Sequence, residues 1–149
     1  MDDLAFRAAS RADLPAIVAM LADDSLGTAR ESADDPSYAA AFDQIDADPR
    51  NTLVVADRAG EVVGTMQLTY IPSLTYRGGE RLQIEAVRIR ADQRGRGLGR
   101  EMIQWAIDQG RARGCRLVQL TTDKRRDDAH RFYASLGFAA THEGMKLTL

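Results

Sequence analysis

The stretch Val87-Arg88-Ile89-Arg90-Ala91-Asp92-Gln93-Arg94-Gly95-Arg96-Gly97-Leu98-Gly99-Arg100-Glu101-Met102-Ile103 holds the change of periodicity on which the fold turns. Ahead of it, residues 81–90 alternate, with Leu82, Ile84, Ala86 and Arg88 on one side and Gln83, Glu85, Val87 and Ile89 on the other, so a strand is expected there. Behind it, Leu98, Met102, Ile103, Trp105, Ala106 and Ile107 form a broad apolar face at helical spacing, ending near Arg113-Gly114. A glycine turn that leads a strand into a helix presents backbone N–H donors to an anion. The first N–H groups of a helix lack intrahelical partners, and its macrodipole adds roughly half a positive charge. Arg94, Arg96 and Arg100 strengthen that field. Two phosphate loops are excluded: the P-loop requires Lys and then Ser or Thr after its last glycine, whereas Arg100 and Glu101 follow Gly99. The dinucleotide fingerprint requires a small residue where Arg100 stands.

Upstream, Thr52-Leu53-Val54-Val55-Ala56 and residues 61–70 flank Asp57-Arg58-Ala59-Gly60 as a β-hairpin, and Pro72 with Gly78-Gly79 bounds a loop. Ser10-Arg11-Ala12-Asp13 reads as a capping signal for a helix over 11–22, with a second helix over 38–45. Downstream, 115–122 is expected as a strand, 127–136 as a short helix ended by Gly137, and 138–149 as one or two closing strands. The expected architecture is α/β (α+β): a mixed, mostly antiparallel sheet of six to seven strands flanked by about four helices, in a single domain over 1–149.

The chain of 149 residues carries 20 Lys and Arg against 22 Asp and Glu, a formal charge of -2, so no global field draws it to nucleic acid or anionic membrane. Cys115, the single cysteine, excludes an internal disulfide and reads as a packed strand residue. No apolar run approaches the roughly 20 residues that span a bilayer, and Asp2 and Asp3 stand where a signal peptide carries bases, so a cytoplasmic location is expected. His130 and His142 lack metal-ligand spacing, and no metal is expected.

Arg94-x-x-Gly97-x-Gly99, following Val87-Arg88-Ile89, resembles the acetyl-CoA signature of the GNAT superfamily of N-acetyltransferases. Ala129-x-x-Phe132-Tyr133-x-x-Leu136-Gly137-Phe138 resembles that family's second motif, one helix and one strand later. The resemblance implies a cleft where strands 81–90 and 115–122 splay. It also implies that the backbone of Val87, Arg88 and Ile89 pairs with the pantetheine arm, and that Arg94, Gly95, Arg96, Gly97, Leu98, Gly99 and Arg100 cradle the pyrophosphate. Tyr133 is directed at the thioester sulfur by the same analogy. Arg126 departs from the pattern, standing where many members carry asparagine. With Lys124 and Arg125 it forms a basic run that could meet the 3′-phosphate of CoA.

The chemistry implied is attack of a neutral amine on the thioester of acetyl-CoA. A tyrosine hydroxyl, pKa near 10 against about 8.5 for a thiol, can lend the leaving thiolate a proton, which makes Tyr133 the candidate acid. An ammonium of pKa about 10.4 must first lose its proton, and Glu85, on the Val87 face by alternation, is the candidate base, directly or through a water. Gln83 could orient the acceptor, and an N–H near Val87 could steady the oxyanion. The amine could belong to a small molecule, amino acid or peptide, with Tyr70, Tyr76 and Arg77 as candidate lining and Asp23, Asp24, Asp34 and Asp35 as an attractive surface for a cation. A terminal strand could pair across a two-fold axis in a homodimer. The competing reading is a non-catalytic acyl-CoA-binding sensor or regulatory module.

Overall fold

The computed structural model describes residues 3–23, 31–32 and 34–149. It divides into two compact units, one ending at Gln119 and one spanning Leu120–Leu149. The first holds a five-stranded sheet in the order β1-β2-β3-β4-β5, with β1 Leu4–Ala8, β2 Asn51–Arg58, β3 Glu61–Ile71, β4 Arg81–Ile89 and β5 Leu117–Gln119. The first four strands pair antiparallel and β5 lies parallel to β4. Helices α1 Leu14–Ala22, α2 Ser37–Ala47, the single turn α3 Thr75–Gly78 and α4 Leu98–Arg113 complete this unit, and α5 Asp127–Ser135 belongs to the second.

The described residues thus contain five strands and five helices, not six to seven and about four. β1 is an additional strand: its five residues pair with the 54–58 stretch of β2, a nonlocal partner that no local pattern announces. The last strand is cut to Leu117–Gln119, and no strand forms among residues 138–149. The first helix begins three residues late, because Arg11–Asp13 is a 3-10 turn and Pro15 then stands in the first turn of α1. The Ser10 N–H donates to the Asp13 carboxylate at 2.7 Å, and the Asp13 N–H to the Ser10 carbonyl at 3.0 Å.

Strand register assigns side chains to two faces. Ala56, Gly64, Met66, Leu68, Leu82 and Ile84 share one face, and α4 covers it with Leu98, Met102, Ile103 and Ala106, all buried. Trp105 meets Phe6 of β1 with ring centroids 5.6 Å apart. The approach is close enough that a Cβ at Gly64 would lie 2.8 Å from the Met102 sulfur, which is why the smallest residue stands there. On the opposite face, Val55 packs with Ala9, Ile17 of α1 and Phe42 of α2, flanked by Leu14, Leu21, Leu53 and Val62. Each fully buried aliphatic side chain contributes roughly 1.5–3 kcal/mol.

Arg7 of β1 ties this helical layer to the sheet. Its guanidinium donates to both Asp13 oxygens at 2.8 and 3.1 Å and to Asp57 at 3.1 Å. The Arg7 hydrogen bonds, assisted by the Ser10 N–H and opposed by burial, lower the Asp13 carboxyl from 3.8 to about 2. A carboxyl depressed on folding stabilises the fold above its unfolded pKa, and that contribution drains away as pH falls through the folded pKa. Denaturation followed from pH 5 to 2 is expected to show a loss of about 2 kcal/mol attributable to Asp13. Asp13→Asn lowers stability at pH 7 and flattens this acid limb. An unchanged acid limb in the variant would contradict the assignment.

Candidate active site

β4 is the strand on which the candidate residues converge, and its geometry departs from simple alternation. Gln67 pairs with Glu85 and Thr65 with Arg88, so Met66 alone opposes both Ala86 and Val87. Ala86 has a φ of 54°, in the left-handed region. This is a β-bulge, which takes one residue out of the ladder and shifts every later side chain by one position. Glu85 therefore shares its face with Arg88, and Val87 falls in the bulge, contrary to the Glu85 and Val87 pairing that alternation gives. Parallel pairing to β5 covers only Arg81↔Leu117, Leu82↔Val118 and Gln83↔Gln119. From Ile84 to Ile89 that edge of β4 has no partner strand among the described residues.

Beyond the 3-10 turn Ala91–Gln93, Gly95 and Gly97 take φ values of 76° and 82°. A Cβ at either would face open space, so the left-handed backbone rather than crowding requires glycine there. Gly97 caps α4, whose first intrahelical bond runs from the Glu101 N–H to the Gly97 carbonyl at 3.2 Å. The N–H groups of Leu98 and Gly99 precede that bond and have no carbonyl within the helix to receive them. Arg58 holds the turn from below by donating to Gln93 at 2.5 Å, and the Arg94 Nε donates to the Ile89 carbonyl at 3.2 Å. Arg94 also lies 3.6 Å from Asp23, one of the residues expected to attract a cation; Asp24 lies outside the described residues. Arg96 and Arg100 are exposed at the mouth of the turn.

On the face carrying Glu85, the polar side chains join into a strip that the sequence did not display. The Asn51 side-chain oxygen accepts from Thr69 at 2.7 Å and from Gln67 at 3.2 Å, and Gln119 donates to Gln83 at 2.9 Å across β4 and β5. Glu85 is exposed at the end of this strip, and Arg88 donates to the Val87 carbonyl at 2.9 Å. Tyr70 does not line it. It sits on the α4 face with the Arg113 guanidinium 4.0 Å above its ring, and Arg113 is held by Glu80 at 2.6 Å. Tyr76 and Arg77 lie in the exposed turn α3, both in the left-handed region. Cys115 lies 3.6 Å from Glu80, and burial with that carboxylate pushes its thiol up, away from nucleophilic use.

In the second unit, Tyr133 stands on α5 between Phe132 and Phe138, edge to face at 5.1 and 5.8 Å. Phe132 is half-buried, not enclosed in the core. Arg126 precedes α5 and is exposed, while Arg125 is bound to Asp123 at 2.9 and 2.8 Å. His130 makes a local contact, 3.1 Å from the Asp123 carbonyl. Among the described residues no group of three His, Cys, Asp or Glu converges on a metal position, and no helix is long and apolar enough to cross a membrane.

Comparison with known proteins is consistent with this geometry. The model of the acetyltransferase (GNAT) family matches residues 17–138. An aminoalkylphosphonate N-acetyltransferase of Salmonella typhimurium is 32% identical over 95 residues, 64% of this chain and 61% of the relative. A glucosamine 6-phosphate N-acetyltransferase of Trypanosoma brucei brucei is 35% identical over 91 residues, 60% of this chain and 59% of the relative. The matched stretch thus spans about three fifths of each curated relative. The solved structure of a transcriptional regulator from Bacillus halodurans C-125 is 48% identical, with a TM-score of 0.95 over 98% of this chain and 99% of the other.

The backbone at the bulge and turn sets a test by substitution. Ala86→Gly relieves a left-handed alanine and is expected to leave the melting temperature unchanged or higher, whereas Ala86→Val adds β-branching to an already left-handed residue and Gly97→Ala forces a Cβ into that region, each at a cost of about 1–2 kcal/mol. Thermal denaturation of the three variants reads the order directly, and a stabilised Ala86→Val would refute the bulge conformation.

Proposed function

Because the chain belongs to the acetyltransferase (GNAT) family, we propose that it transfers an acetyl group from acetyl-CoA to an amine by direct attack. The observation that supports this most is the junction of two left-handed glycines at the head of α4 with a β4 edge that has no strand partner beyond Gln83 among the described residues. In this reading Val87, Arg88 and Ile89 offer that edge to the pantetheine arm as a further strand would. The N–H groups of the turn from Arg94 to Arg100 receive the pyrophosphate, with arginines at three of its seven positions adding charge. Open space at the Cβ positions of Gly95 and Gly97 suits close approach of phosphate oxygens. The basic run at Lys124, Arg125 and Arg126 takes the 3′-phosphate.

The amine, freed of its proton by Glu85 directly or through water, forms a bond to the thioester carbonyl carbon. The nitrogen gives up its second proton to solvent as the C–S bond breaks, and Tyr133 lends a proton to the departing thiolate and recovers one from solvent. Amine acceptors fit the names of both curated relatives. The 48% identical transcriptional regulator favours a second reading, in which the domain binds acyl-CoA and regulates a partner without turnover.

Thermal shift and thiol release separate the two. CoA and acetyl-CoA are expected to raise the melting temperature, by an amount equivalent to about 2.7 kcal/mol at a hundred times Kd, while ATP and NAD do not. Release of free thiol with at least one amine supports the enzyme, and stabilisation by CoA without release across an amine panel supports the regulator. Tyr133→Phe is expected to lower kcat on the order of 100-fold with CoA affinity retained. Glu85→Gln is expected to lower kcat/KM on the order of 100-fold with CoA affinity retained. Full turnover in either variant would withdraw that residue's role.

A further inference from the structure

Arg81 opens β4 on the same face as Gln83 and Glu85, between Ile71 of β3 and Leu117 of β5. Its Nε is buried and finds no hydrogen-bond partner among the described residues. A guanidinium N–H withheld from water without an acceptor is costly, and native structures satisfy nearly all such groups. Other guanidinium groups around the sheet are engaged through at least one N–H: Arg7 with Asp13 and Asp57, Arg88 with the Val87 carbonyl, Arg90 with Asp92, Arg113 with Glu80. The neighbours of Arg81 on its own face are two apolar side chains, and the nearest polar groups along the strand are the joined amides of Gln83 and Gln119. Glu80, the adjacent carboxylate in sequence, is committed to Arg113.

We infer that Arg81 recognises an oxyanion on the acceptor, a carboxylate, phosphate or phosphonate remote from the amine that is acetylated. The inference rests on the acetyl-transfer reading for the identity of the ligand as an acceptor. Four residue steps along the strand carry the chain from Arg81 to Glu85, about 13 Å between Cα atoms. An acceptor lying along β4 puts its oxyanion at Arg81 and its amine at Glu85, with the intervening polar groups over the Gln83, Gln119, Thr69 and Asn51 strip. The planar fork of the guanidinium matches an oxyanion in two-point contact, which an ammonium cannot reproduce. Arg81 is a specificity-determining residue in this arrangement and takes no part in proton transfer.

Matched amines test it: 2-aminoethylphosphonate against ethanolamine, glucosamine 6-phosphate against glucosamine, and γ-aminobutyrate against butylamine, with kcat/KM from released thiol. The wild-type chain is expected to prefer the oxyanion member of at least one pair, through KM. Arg81→Gln is expected to cut that preference roughly 10- to 100-fold, and Arg81→Lys to restore only part of it. Arg11→Gln removes one surface charge, paired with Asp43, and is expected to leave the preference unchanged. A second arm measures binding of the same compounds to the CoA-loaded protein by calorimetry, with loss of the oxyanion preference in Arg81→Gln as the expected result. The pair that responds identifies phosphorus or carboxylate chemistry. No preference in the wild-type chain, or a preference that survives Arg81→Gln or falls equally in Arg11→Gln, overturns the inference. If no amine releases thiol, the acetyl-transfer reading fails, and the binding arm still decides whether Arg81 holds an oxyanion.

Discussion

The structure depends on where β4 stops being paired. A central strand ordinarily satisfies its backbone on both sides, and β4 does so with β3 along most of its length. With β5 it does so for three residues only. The same strand bulges at Ala86, takes Arg90 back to the Val63 carbonyl at 2.9 Å, and then enters the left-handed turn that caps α4. The edge of β4 from Ile84 to Ile89 is thereby left without a strand partner among the described residues, shortly before the glycine turn that caps α4.

The two sheet faces explain why this arrangement holds its position. α4 is pinned to its face by Leu98, Met102, Ile103 and Ala106, each almost wholly buried, so its N-terminus cannot drift from the end of β4. The other face divides by composition. Toward β1 and β2 it is covered by α1 and α2 over an apolar cluster with the Arg7 and Asp13 pair at its edge. Away from that cluster the same face turns polar, with Asn51, Gln67 and Thr69 hydrogen-bonded in one group on β2 and β3 and Gln83 and Gln119 in another on β4 and β5.

How much of this was legible in the sequence follows from the range of each interaction. The hairpin of β2 and β3, the apolar stripe of α4 and the glycine turn rest on local periodicity and on backbone angles that few residues adopt, and all three stand where the pattern put them. β1 was hidden because Leu4-Ala5-Phe6-Arg7-Ala8 becomes a strand through a partner fifty residues away. The bulge was hidden because an alanine gives no sign of a left-handed conformation, and reading through it misassigned the faces beyond Glu85. The place of Tyr70 was hidden because only the register puts it on the α4 face, under Arg113. Residues 138–149 show strand-like composition, yet no ladder forms there among the described residues, since composition alone supplies no partner.

Amide hydrogen exchange followed residue by residue, with and without acetyl-CoA, tests the central claim most directly, because it reads the backbone donors themselves. Slowed exchange on addition of acetyl-CoA, concentrated in β4 beyond Gln83 and in the turn from Arg94 to Gly99, is the expected result. Binding of acetyl-CoA that left those amides exchanging at their original rates would contradict it.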